Sequence, residues 1–299
     1  MTREAGVEAS SGVVSSGSNW ELFVSADFGS IKTDSLAATP GIESNTQAGT
    51  VGFEYQVNDS LNLGVGWSHL QNDNTLTNNL GGVDLEGNTG MAYATLFKNN
   101  LWADLLYSYG SYDVDISRNT GLGSTVRGDT DVSTHLTMLN LGYNIPVGDH
   151  IVHGPTFGAE YTDGQLNGYT ETGDPRANTR FADQDFESLV TRLGWQVTWS
   201  GDTNIGVMTP QVRIGYGREN IDQDRNIAGT LVNSPFGPGL GGFTAGQMQT
   251  VPGEGWMDLG AGIGIQICPN IGLYVDYQTQ LFREATTAQY GSVRAEIKF

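Results

Sequence analysis

The chain has 299 residues, 42 of them glycine, and carries 14 Lys and Arg against 33 Asp and Glu, a formal charge of −19. That balance excludes nucleic acid as a partner, because phosphate binding needs clustered basic side chains. The single cysteine, Cys268, excludes an internal disulfide and a thiolate metal cluster, and there is no apolar run of about 20 residues to span a membrane as a helix.

The N-terminal residues 1–18 have no apolar core of the kind a signal peptide carries. They read as a linker, residues 19–299 as one folded domain, and the chain as a domain whose export signal lies upstream. From Trp20 a phrase repeats: alternating segment, short turn, alternating segment, long polar stretch. "NWELFVSADFG" sets Trp20, Leu22, Val24, Ala26 and Phe28 on one face, since side chains alternate with period two in a strand. "TVGFEYQV" does the same with Val51, Phe53, Tyr55 and Val57. "NDS" turns the chain, and "LNLGVGWSH" follows with Leu63, Val65 and Trp67 against Gly64, Gly66 and Ser68.

Further tight turns fall near residues 98–100, 148–150, 200–203 and 269–270. Between them lie long polar stretches, read as loops, at residues 71–88, 116–131, 170–184 and 220–253. Short turns alternating with long loops make every strand antiparallel to the next, and the count is about twelve. The last segment, "SVRAEIKF", puts Val293, Ala295, Ile297 and Phe299 on one face and Ser292, Arg294, Glu296 and Lys298 on the other.

A soluble sandwich would wet its polar face with charge. Here the second face is glycine, small polar residues and isolated charges, while the apolar face gathers aromatics near its ends: Trp20, Trp67, Tyr143, Trp195, Trp199 and Tyr277. A transmembrane up-and-down barrel explains both faces, with apolar side chains to lipid, aromatics at the interfaces and a polar lumen. Its lumen phase carries Glu54, Asp104, Glu160, Arg192, Arg213, Asp258, Asp276, Arg294, Glu296 and Lys298, together with the glycines Gly52, Gly64, Gly66, Gly158, Gly194, Gly215, Gly260 and Gly262. The ionic residues read first as a structural network, because charges in a low-dielectric wall must pair or be hydrated. The glycines read as room for a polypeptide segment about 10 to 12 Å across, the diameter of a helix with its side chains.

Signals for chemistry are weak. His150 and His153 are three apart on a strand and point to opposite faces, unsuited to sharing a metal. "GWSHL" lacks the closing glycine of a nucleophile elbow, and no helical pattern follows "GAGIG" as a phosphate loop requires.

Three stretches, "GPTFGAEYTDGQLNGYTETG" (154–173), "FADQDFESLVTRLGWQ" (181–196) and "GWMDLGAGIGIQICPNIGLYVDYQ" (255–278), with the closing "VRAEIKF", make the chain from Trp20 onward similar to the translocator barrels of bacterial autotransporters, above all those of the esterase type. That resemblance implies an outer-membrane barrel of twelve strands with both termini on the periplasmic side. It implies an exported passenger on the same polypeptide, contacts with outer-membrane lipid and lipopolysaccharide, and a monomer without cofactor. Phe299, with Ile297 and Ala295, resembles the signal read by the outer-membrane barrel assembly machinery. Esterase passengers carry a Gly-Asp-Ser-Leu motif and a later Asp-x-x-His; "NDSL" (58–61) and "TDSL" (33–36) lack the glycine, and no histidine has an aspartate three residues before it. The barrel is therefore expected to be a non-catalytic translocator and anchor. A general porin is the alternative, and a barrel enzyme would need His69 or His135 at its outer rim.

Overall fold

The computed structural model describes residues 19–35, 40–121, 123–221, 224–232, 242–249 and 255–299. Twelve long strands form the wall: β1 (Trp20–Thr33), β2 (Ile42–Asn58), β3 (Leu61–Leu76), β4 (Gly81–Lys98), β5 (Leu101–Asn119), β6 (Thr125–Tyr143), β7 (Ile151–Leu166), β8 (Gln184–Trp199), β9 (Gly206–Glu219), β10 (Gly255–Cys268), β11 (Ile271–Leu281) and β12 (Thr286–Lys298). Each pairs antiparallel with its sequence neighbours, and β12 pairs with β1 from Glu21↔Lys298 to Thr33↔Thr286. The sheet is closed, which leaves no wall edge to be satisfied in lipid.

One end of the barrel is held by tight turns. Asn58 Oδ1 accepts from Ser60 N at 2.8 Å, Asn99 adopts φ 57°, and Gly148 adopts φ 64°, conformations that Asn and Gly tolerate best. The chain ends meet here: Phe299 N donates to Trp20 O at 3.1 Å.

At the other end the strands run on. The stretches at 71–88 and 116–131, expected as loops, are largely continuations of β3, β4, β5 and β6; β3 and β4 are joined only by a short turn at Thr77–Asn79. Past the membrane both strand faces meet water, so the sequence loses its apolar alternation while the backbone ladder persists. A four-stranded sheet also forms there, in the order Gly242–Gln249, Asp224–Leu231, Thr179–Phe181, Tyr169–Thr170. It joins the wall where Arg127 and Thr172 exchange backbone hydrogen bonds of 2.9 and 2.8 Å.

The outer wall is apolar through its middle: Val65 is 57 % exposed, Leu193 64 % and Val212 56 %. A continuous band of such residues has no place in water. Exposed aromatics bracket this band, with Trp20, Tyr143 and Trp199 toward the turn end and Trp67, Tyr107, Tyr109 and Tyr277 toward the hairpin end. Among the described residues no helix is long and apolar enough to cross a membrane; the strands do so.

Candidate functional site: the barrel lumen

The alternate face of each strand points inward. Arg192 on β8 joins Glu160 on β7 (3.2 Å) and Asp258 on β10 (3.6 Å). Arg213 on β9 holds Asp276 on β11 at 2.6 Å and Gln211 at 2.8 Å. Across the closing pair, Arg294 on β12 meets Glu296 (2.7 Å) and Glu21 on β1 (3.7 Å), and its guanidinium lies 4.3 Å from the Phe23 ring centroid. Lys298 reaches Glu21 at 3.4 Å. Glu54 accepts from Asn62 Nδ2 (2.8 Å) and Tyr93 Oη (3.0 Å). The basic side chains are thus distributed so that each bridges two or more strands, as a hydrated but confined lumen demands.

Glycines of the lumen face lie against side chains or backbone of neighbouring strands. The ring of Tyr93 lies over Gly64, that of Phe23 over Gly52, and that of Trp102 over Gly142. Gly66 is approached by Met91, Gly158 by Asn140, Gly194 by Thr156, Gly260 by Arg213 and Gly262 by Asp276; Gly215 abuts the backbone of Leu193. Glycine on one strand accommodates a large or charged side chain from the next, the arrangement that offsets its weakness in a strand. Glu21, Asp27, Phe23, Tyr93, Trp102 and Trp256 were absent from the sequence-derived site. Strand phase alone would have found them, since all lie on the glycine-bearing face.

Ala295 and Ile297 sit on the outer face of β12, paired with Val24 and Leu22 of β1, and Phe299 is 57 % exposed just beyond the strand. The histidines line the outside. His69 contacts Asn88 (3.2 Å) and Glu86 (3.4 Å); His135 shares a hydrogen bond of 2.8 Å with Tyr107 Oη; His153 stacks on Trp195 with centroids 5.6 Å apart. These are interface positions, and among the described residues there is no group of three or more potential metal ligands.

At the hairpin end, the loop between β7 and β8 packs on the inner face of the β5–β6 tip. Glu171 is buried and binds Arg118 through Nε at 2.9 Å and Nη2 at 2.5 Å. The Tyr169 ring covers Gly128, and burial, helped by the charge of Glu171, pushes its phenol up to about 12. Hydrogen bonds from Arg176 and Ser124 hold the Asp174 carboxyl well below the usual carboxylate range.

A closed antiparallel barrel of twelve strands, apolar outside, girdled by aromatics and charged within, defines an integral β-barrel of a bacterial outer membrane. The family model for the autotransporter beta-domain matches residues 22–278, and the chain belongs to that family. It is 26 % identical over 188 residues to Lipase 1 of Photorhabdus luminescens, covering 61 % of this chain and 28 % of that protein. Against Outer membrane protein A of Rickettsia rickettsii it is 25 % identical over 184 residues, 58 % of this chain and 8 % of that protein. The chain therefore spans less than a third of either relative. Among solved structures, the translocator domain of the autotransporter NalP from Neisseria meningitidis superimposes with a TM-score of 0.75 at 14 % identity, covering 96 % of this chain and 91 % of that one. The beta domain of the Bordetella autotransporter BrkA gives 0.69 at 15 % identity, over 94 % and 100 %. Both likenesses concern the fold.

Proposed function

We propose that this barrel carries an upstream passenger across the outer membrane, anchors it there, and performs no chemistry of its own. The observation behind this reading is the closed wall around a lumen lined by cross-strand ion clusters, in a chain of the autotransporter beta-domain family. Residues 1–18 serve as the linker between passenger and barrel residues 19–299. The lipase relative makes a hydrolase the first passenger to seek, and any esterase activity belongs to that passenger. The test is to express the barrel with a reporter domain joined before residue 1 and to assay protease-accessible reporter on intact cells. Surface display supports the translocator; a barrel that inserts, passes small solutes into liposomes and leaves the reporter inside supports the porin alternative.

Phe299, Ile297 and Ala295 are proposed as the segment read by the assembly machinery, with the barrel acting as a monomer in lipid and lipopolysaccharide. Deleting Phe299 should lower the amount of heat-modifiable barrel in the outer membrane while leaving the denaturant midpoint of purified, refolded barrel unchanged. Equal amounts in cells would remove this assignment.

A further inference from the structure

β7 ends at Leu166, and the chain leaves the wall there to form the loop that returns at Gln184, the register partner of Leu166. The first two residues outside the strand, Asn167 and Gly168, are the only Asn-Gly pair in the sequence. Gly168 has a structural reason to be there. A Cβ on it would lie 2.9 Å from Phe181 O and 3.1 Å from Asp183 N, so glycine is what lets the outgoing arm of the loop pass this close to the returning one. Both residues of the pair are exposed, and the side-chain amide of Asn167 makes no hydrogen bond with another described residue.

The peptide that joins the two is held at both of its polar atoms. Thr130 Oγ1 on β6 donates to Asn167 O at 2.7 Å, and Gly168 N donates to Asp183 Oδ1, also at 2.7 Å. These bonds act in the same chemical direction. A donor on the carbonyl oxygen draws electron density out of the amide, and a carboxylate on its N–H stands within proton-transfer reach, about 2.6 to 3.2 Å. Together they favour the imidate form, in which the nitrogen is a nucleophile. The electrophile nearest to it along the chain is Cγ of Asn167, and glycine presents no side chain to obstruct the approach.

We propose that Asn167 is a self-modification site, where the fold promotes conversion of the side-chain amide to a carboxylate. Asp183 accepts the Gly168 N–H proton while the electron pair of that nitrogen forms a bond to Asn167 Cγ. The bond from Cγ to Nδ2 then breaks, Nδ2 takes up the proton and leaves as ammonia, and a cyclic succinimide remains. Water opens the ring at either carbonyl, giving aspartate when it adds at Cγ and isoaspartate when it adds at the main-chain carbon; the balance is one water in and one ammonia out. The site is the neck of the loop, since Asn167 N also donates to Asp131 O at 2.9 Å. Isoaspartate inserts an extra carbon into the main chain between these two fastenings, and either product adds negative charge near Asp183, where like charges repel. The modified loop, residues 167–183, should come away from the β5–β6 tip. This holds whether the barrel displays a passenger or conducts solutes.

The test incubates the full chain in detergent in warm neutral buffer and follows the proteolytic fragment containing residues 167 and 168 by chromatography and mass spectrometry, which separate amide, aspartate and isoaspartate. A synthetic peptide of residues 161–174 in the same buffer gives the rate of this sequence without its surroundings. The folded chain should convert faster than the peptide, with isoaspartate among the products. Asp183→Asn keeps an oxygen to accept from Gly168 N but removes the charge that takes the proton, and should slow conversion about tenfold or more; Thr130→Val should slow it about threefold. A folded chain slower than the peptide would show that the two hydrogen bonds protect the pair and would overturn the proposal, as would either variant converting at the wild-type rate or faster, or aspartate as the sole product. Heat-modifiable migration confirms that each variant is folded, and the comparison of wild type with peptide stands without them. Aged wild-type protein should be cut by a neutral protease within residues 167–183 sooner than fresh protein; equal resistance would overturn the loosening.

Discussion

Tyr93 on β4 lies flat across Gly64 on β3 and, from that position, donates its phenolic hydrogen to Glu54 on β2 at 3.0 Å. Three strands are joined by one side chain, and the joint exists only because position 64 has no Cβ. Gly64→Ala should push the ring aside, break the bond to Glu54 and lower stability by about 1 to 3 kcal/mol, the usual cost of overpacking. Gly49→Ala is the control: nothing lies within 4 Å of its Cβ direction on the outer face, so the change should stay within about 0.5 kcal/mol. Urea unfolding of both variants in lipid vesicles decides, and equal midpoints would show that the ring can move without cost.

The two faces differ in what surrounds them, and arginine reports that difference. Val65→Arg places a charge in hydrocarbon near mid-membrane, at a cost of about 2 to 4 kcal/mol. Asn62→Arg on the same strand enters the lumen beside Glu54, with which Asn62 is already hydrogen-bonded, and should cost less than about 1 kcal/mol. Folding yield into bilayers should therefore fall sharply for the first and little for the second.

Legibility in the sequence followed this same contrast. Within the membrane, lipid on one side and a lumen on the other impose strict alternation, so Val51, Phe53, Val65, Leu141 and Ile263 declare their phase. Beyond the membrane the environment is water on both faces, and residues such as Asn72, Asn74, Asp84, Asp113 and Asp129 continue the ladder without any apolar signal. The glycines were legible as lumenal but not as partners of rings, because the pairing of Gly64 with Tyr93 or Gly142 with Trp102 is set by register across strands, which one strand's sequence does not contain. Glu21 and Asp27 sit in plain alternation with Trp20 and Phe28 and needed only the phase of β1.

Arg294 closes the barrel. Lying on the last strand, it meets both Glu21 and the Phe23 ring of the first. Arg294→Gln leaves Glu21 and Glu296 facing each other in a confined space, and breaking a largely buried pair costs more than the pair contributes. The expected loss is about 1 to 3 kcal/mol, with part regained in Arg294→Gln/Glu296→Gln, where the stranded charge is also removed. A double-mutant cycle on denaturant midpoints measures the coupling; a value near zero would mean that the backbone ladder alone holds β1 to β12.

The loop between β7 and β8 is fastened to the β5–β6 tip by ionised carboxylates, which gives it a pH dependence of definite sign. Asp174 accepts from Arg176 Nε at 3.0 Å and Nη2 at 2.8 Å and from Ser124 Oγ at 2.7 Å, and these bonds hold its folded-state pKa below the unfolded value of about 3.9. A depressed carboxylate contributes its stabilisation above the unfolded pKa and loses it as the pH falls below that value toward the folded one. The loop should accordingly stay closed at neutral pH and loosen in acid, exposing Tyr169 and Phe181 while the wall strands, held by their ladders, remain intact. Cleavage by an acid protease at descending pH, read by mass spectrometry, should appear first at residues 167–183. Asp174→Asn, which cannot ionise, should be cut in this loop already near the ordinary carboxylate pKa of about 3.9, where the wild-type loop still resists. Identical cleavage profiles for the two proteins would show that the Arg118–Glu171 pair, rather than Asp174, fastens the loop.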